Sequence, residues 1–157
     1  MPPHALRAAL IATALLSSPP ALAQDRSADG DLVVEDAWAR ATPGAAVPGA
    51  AYFTLRNLGD APARLTGLRS DAAGAAMIHV TEIDDAGVAR MTPAPGIAIA
   101  PGETLTLAPG GMHAMLTDLA EPLREGATLS LTLTFEGGEE LTVDVPVLGL
   151  GARGPEG

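Results

Sequence analysis

Outside the first 23 positions the histidines are His79 and His113, and the methionines are Met77, Met91, Met112 and Met115. Their placement is periodic. In a strand, residues two apart share a face, so His113 and Met115 point the same way. Met112, Ala114 and Leu116 form the apolar set on the other face. Parity therefore takes His113 and Met115 off the core face and predicts that the apo fold tolerates their replacement. The same test sets Ile78 and Val80 on one face, with Met77, His79 and Thr81 on the other. A turn at Asp84–Gly87 folds residues 88–91 back on 76–83. With a loop of about three or four residues, Met91 is expected within about one residue of the position opposite His79. Two imidazoles and two thioethers then converge on one surface.

That donor set has a specific meaning. Thioether sulfur is soft and neutral and favours Cu(I) over zinc, calcium or magnesium. Imidazole suits copper as well. A site made of His79, Met91, His113 and Met115 adds no charge to the ion and favours the softer Cu(I) over Cu(II). It has no thiolate to lose to disulfide formation. It fits holding and passing on one Cu(I) better than redox turnover. Met112, on the apolar face, reads as core. Met77 shares the His79 face and offers an auxiliary thioether, but it is read first as a residue that packs near the site or shields it from solvent.

Composition removes most alternatives. The chain has 157 residues, 9 basic against 19 acidic, and a net charge of -10. Every basic residue is Arg, so lysine Schiff-base and Walker-type chemistry are excluded. No basic cluster exists to neutralise phosphates, which argues against nucleic acid. Cysteine is absent, which removes disulfides, thiol nucleophiles and cysteine-ligated metal sites. No G-x-S-x-G context supports a hydrolase. Two histidines are few for a copper oxidase or dismutase, so the chain is read as a binding protein rather than an enzyme. A copper store, or a structural β-sandwich in which His and Met are incidental, are the competing readings.

The elements that must position these residues read as strands. Leu129, Leu131, Leu133 and Phe135 alternate with Ser130, Thr132, Thr134 and Glu136, and Leu141, Val143, Val145 and Val147 alternate with Thr142, Asp144 and Pro146. Gly137-Gly138 between them predicts a hairpin. Leu105 and Leu107 alternate likewise in 104–107, and further strands are predicted at 31–39, 50–57, 63–69, 76–83, 88–91 and 112–118. Many short strands separated by Gly, Pro and Asp turns mean an all-β sandwich or barrel. Trp38 and Tyr52 read as core aromatics.

Residues 1–23 read as a secretory signal peptide. Arg7 precedes an apolar run over 8–16, and Ala21-Leu22-Ala23 supplies an A-x-A cleavage site. The run is too short to span a bilayer, and no second long apolar segment follows. A polar leader is expected at 24–30, the metal-binding domain at 31–148 and a flexible tail at 149–157. The mature form is expected in the periplasm as a monomer without a membrane span.

The order His79, one residue, ten residues, Met91, twenty-one residues, His113, Ala114, Met115 resembles the H(M)x10Mx21HxM signature of the PCuAC family of periplasmic copper chaperones. The flanking segments Ala37-Trp38-Ala39-Arg40-Ala41-Thr42-Pro43, Gly49-Ala50-Ala51-Tyr52-Phe53 and Pro109-Gly110-Gly111-Met112-His113 agree with it. The resemblance covers residues 33–147. It implies a cupredoxin-like Greek-key β-barrel that binds one Cu(I) through His79, Met91, His113 and Met115. It also implies delivery toward the CuA centre in cytochrome c oxidase subunit II, alongside a Sco-like thioredoxin-fold protein. Val80 stands where many members have Met, and residues 149–157 lack the His/Met-rich tail of some members.

Overall fold

A computed structural model of the chain describes residues 27–155. The segment read as a signal peptide lies outside the described residues. Eleven strands are present among the described residues: β1 (Ser27–Asp29), β2 (Leu32–Arg40), β3 (Gly49–Asn57), β4 (Ala63–Ser70), β5 (Ala73–Ile83), β6 (Ala89–Pro93), β7 (Ile97–Ile99), β8 (Thr104–Leu107), β9 (Met112–Leu119), β10 (Thr128–Phe135) and β11 (Glu140–Leu148). The all-β expectation holds. β1 falls inside the stretch read as a polar leader and pairs with β2.

The sheet runs β2-β11-β10-β4-β5-β9-β3, and β3 pairs back onto β2, closing a seven-stranded barrel. β6 extends β5, β7 extends β4 and β8 extends β3. The ladder is mixed, because β11 runs parallel to β2. Closure leaves the barrel strands without a free edge.

The period-two pattern fills the interior. Leu129, Leu131 and Leu133 stand opposite Val145, Val143 and Leu141 in the β10–β11 ladder, and all of them are buried. Phe53, Leu55, Ala114 and Leu116 meet them from β3 and β9. The outward Thr132 and Thr142 hydroxyls bond to each other at 2.9 Å. The β10–β11 turn closes as Phe135 donates to the Glu139 carbonyl and Gly138 donates to the Phe135 carbonyl. Gly138 turns there at φ 90°, a conformation that costs glycine nothing.

One irregularity re-aims a strand. Asp36 adopts φ 53°, and the β2–β3 register shifts between Glu35 and Trp38. The bulge re-phases β2. Val34 points inward before it, and Ala37 and Ala39 point inward after it. Trp38 is thereby turned to the outer face. Tyr52 joins it there, because its neighbours Ala51 and Phe53 take the inward positions. Trp38 and Tyr52 are buried, as expected of core aromatics, but on the outer side of the sheet, apart from the main core cluster. Their rings pair at 4.6 Å between centroids. The Arg40 guanidinium lies 5.8 Å from each ring centroid and donates to the Ala152 carbonyl through Nε and Nη2 at 3.2 and 2.9 Å. Ala152, in the stretch read as a tail, is held by this contact.

Candidate metal centre

The β5–β9 ladder sets the site. In its antiparallel register Met77 stands opposite Met115, and His79 stands opposite His113. Direct pairs in a ladder share a face, and residues two apart along each strand share it too. Met77, His79, His113 and Met115 therefore occupy one patch, on the face opposite Ile78 and Ala114, which are buried in the core.

The patch continues onto β3, where Ala50 pairs with Met115. Tyr52 lies one step beyond the last β3–β9 ladder pair on that same face, at the level of His113. Trp38 pairs with Tyr52. The aromatic pair thus borders the histidine row on the side away from β5. This neighbourhood corrects one expectation. Parity does take His113 off the core face, but the residue is not a surface residue: it is 9% exposed. Met112, expected in the core, is only partly buried and packs against it.

The hairpin places Met91 differently from the sequence expectation. β5 and β6 pair His79 with Pro93 and Thr81 with Met91. Met91 is therefore two residues from the position opposite His79, not within one. The turn explains the offset. Asp84 donates its backbone N–H to the Val88 carbonyl, and Gly87 donates to the Asp84 carbonyl, so Asp84 and Val88 close a three-residue loop. An offset of two keeps the face, whereas an offset of one would have reversed it. Met91 shares the patch diagonally from His79 and is 61% exposed.

Asp84 organises that turn. Its Oδ1 accepts from the backbone N–H of Ala86 at 3.0 Å and of Val88 at 2.9 Å. Its Oδ2 meets Arg90 Nε at 3.1 Å. The Val88 N–H first, then the Arg90 guanidinium, hold the Asp84 carboxyl below its ordinary pKa. Asp84 is thus a turn residue, as its place in the sequence predicted.

The imidazoles are poised unequally. Their ring centroids lie 6.0 Å apart with planes 28° from parallel. His113 Nδ1 lies 3.4 Å from the Gly111 carbonyl. A carbonyl oxygen only accepts, so this contact favours the tautomer with the proton on Nδ1 and a free lone pair on Nε2. His79 Nδ1 is buried and has no hydrogen-bond partner among the described residues. A buried nitrogen without a partner is costly, and a metal ion would satisfy it. The spacing permits this, since two imidazoles reaching one ion with metal–nitrogen bonds of about 2.0 Å hold their centroids at most about 6 Å apart. Among the described residues no group of three or more His, Cys, Asp or Glu could hold a metal. The other donors this patch offers beside the two imidazoles are thioethers, which favour a soft ion.

Comparison with known proteins agrees with the geometry. The family model LpqE-like, described as "Putative lipoprotein LpqE-like", matches residues 32–147. "Putative lipoprotein Lxx21020" of Leifsonia xyli subsp. xyli is 36% identical over 150 residues, covering 90% of this chain and 89% of that protein. The copper-bound PCuAC domain from PmoF2 superposes with a TM-score of 0.66 at 28% identity, over 79% of this chain and 97% of that domain. The solution structure of CuI-DR1885 from Deinococcus radiodurans superposes with a TM-score of 0.54 at 35% identity, over 71% of this chain and 76% of that one.

Proposed function

The chain belongs to the LpqE-like family, and from that premise we infer that its PCuAC-like barrel is a copper-binding domain that works as a Cu(I) metallochaperone. The observation that carries this reading is the directly opposed pair His79 and His113, flanked on one face by Met115 and, diagonally, by Met91. These four residues would hold one Cu(I). The copper carried by the PmoF2 domain and by DR1885 supports copper as the ion.

Two neutral imidazoles and two thioethers fit a cargo site. The ion remains Cu(I), and its donors can be replaced one at a time by those of an acceptor. We place delivery at an oxidase CuA site such as that of cytochrome c oxidase subunit II, with a Sco-like thioredoxin-fold protein as the companion. The segment 1–23 would direct the chain to the periplasm.

Mixing the Cu(I)-loaded protein with an apo CuA domain and following copper by mass spectrometry tests the reading. Movement of copper to the CuA domain is expected. Cu(I) bound tightly but retained would overturn delivery in favour of storage, and absence of Cu(I) binding would overturn both.

A further inference from the structure

The reading above assigns Met91 as the second thioether, yet the register gives that place more directly to Met77. Met77 stands straight across from Met115, one row along from His79 and His113. Directly opposed side chains have their Cβ atoms about 4.5–5.5 Å apart. Met91 lies on the far side of the histidine row. It pairs with Thr81, four residues along β5 from Met77, and it sits on β6, two strands from Met115 on β9. With strands about 4.8 Å apart and about 3.3 Å of rise per residue, a flat ladder separates the Met91 and Met115 backbones by roughly 16 Å. Met91 joins Met115 on one ion only when the β5–β6 hairpin curls over the patch. Met77 needs no such movement.

Exposure points the same way. Met77 is 47% exposed, so its thioether is not committed to the core and is open to an ion. On β5 the residues of its face are Ala73, Ala75, Met77, His79, Thr81 and Ile83. Between His79 and the Ala75 end, Met77 is the one soft donor that strand offers.

We propose that Met77 is an alternative copper ligand. Cu(I) held by His79, His113 and Met115 takes its remaining thioether from Met91 when the hairpin is curled and from Met77 when it is extended. The exchange replaces one neutral sulfur lone pair by another, so the ion keeps its charge and no proton moves. It lets the hairpin open toward an acceptor without leaving Cu(I) short of a donor. This proposal rests on the copper reading of the same site.

The test compares the wild-type chain with Met91→Leu, Met77→Leu and the double variant, using Cu(I) titration against a competing chelator and the sulfur count from copper X-ray absorption. Thermal melts of the apo forms check folding, which Leu at two exposed positions should leave intact. Met91→Leu is expected to keep two sulfur ligands and lose affinity by about tenfold. The double variant should drop to one sulfur and lose at least about another tenfold. A single sulfur already in Met91→Leu, or a double variant that binds as Met91→Leu does, overturns the Met77 proposal and leaves the copper reading standing. A wild-type chain that binds no Cu(I) overturns both.

Discussion

His79 faces His113 directly across β5 and β9, yet only one of the two has a hydrogen-bond partner for its ring among the described residues: His113 Nδ1 reaches the Gly111 carbonyl, while the buried His79 Nδ1 reaches nothing. The pair shares a face, a row and a proposed ion, but its members differ in what they contribute to the apo fold.

Removing each should therefore separate stability from binding. His79→Ala deletes a buried atom without a partner and should leave apo stability unchanged or raise it by up to about 1 kcal/mol. His113→Ala removes a nearly buried ring and should cost about 1–2 kcal/mol. Leu131→Ala, in the core, should cost about 2–5 kcal/mol. Both His variants should lose tight Cu(I) binding. Urea unfolding of the apo forms, beside chelator competition, checks the order; a His79 variant less stable than the His113 variant contradicts it.

The turn that carries Met91 should respond to acid. Asp84 has a lowered pKa in the folded chain. Its contribution is therefore present above the ordinary carboxylate range and disappears as pH falls through the lowered folded value. At neutral pH Asp84→Asn should already loosen the turn, because Arg90 loses its charged partner. The check is protection from hydrogen exchange at the Val88 amide: lower protection is expected in Asp84→Asn and, in wild type, as pH falls through the lowered folded value.

Cu(I) binding should weaken in acid. Protons compete with the ion for imidazole nitrogen and not for thioether sulfur. Two histidine ligands limit the slope to about two protons per copper at low pH. Chelator competition from pH 5 to 8 measures it. Affinity that keeps rising steeply above neutrality would point to a different ligand set.

Peroxide should discriminate among the methionines. Met91 and Met77 are exposed, at 61% and 47%, whereas Met115 and Met112 are partly buried. Peptide mass spectrometry should find sulfoxide first at Met91 and Met77. Bound Cu(I) should slow oxidation at the liganding sulfurs, since their lone pairs are engaged, and prior oxidation should weaken Cu(I) binding.

Trp38 offers a reporter. It is the sole tryptophan, paired with Tyr52 at 4.6 Å on the face that carries His113. Loading Cu(I) should change its fluorescence saturably at one equivalent, and His113→Ala should abolish the change. A response that never saturates would indicate copper bound elsewhere.

Much of this was legible from residue order alone. Strict alternation in 129–136 and 141–147 announced the β10–β11 hairpin and its buried face, because a half-buried strand has no other way to segregate its side chains. The candidate donors were legible as well: the residue types set the preference for a soft ion, and parity set His113 with Met115 and His79 with Met77. β7 was missed because three residues in a Pro- and Gly-rich stretch are too short to show a period. The inward or outward sense of Trp38 was missed because a bulge at Asp36 inserts a residue that alternation does not register.

What tertiary structure decided was which of those faces meet. Parity says that His113 shares a side with Met115. It does not say which strand lies across from it, because ladder partners are chosen by barrel closure and not by local pattern. β9 lies between β5 and β3, and that placement opposes His79 to His113, opposes Met77 to Met115, and brings Tyr52 to the level of His113. Loop closure at Asp84 and Val88 then moved Met91 one pair further along than the sequence suggested. The sequence determined the chemistry of the donors because that chemistry belongs to the side chains themselves. Their partners are separated by up to 38 residues of chain, as Met77 is from Met115, and only the closed sheet sets the register between them.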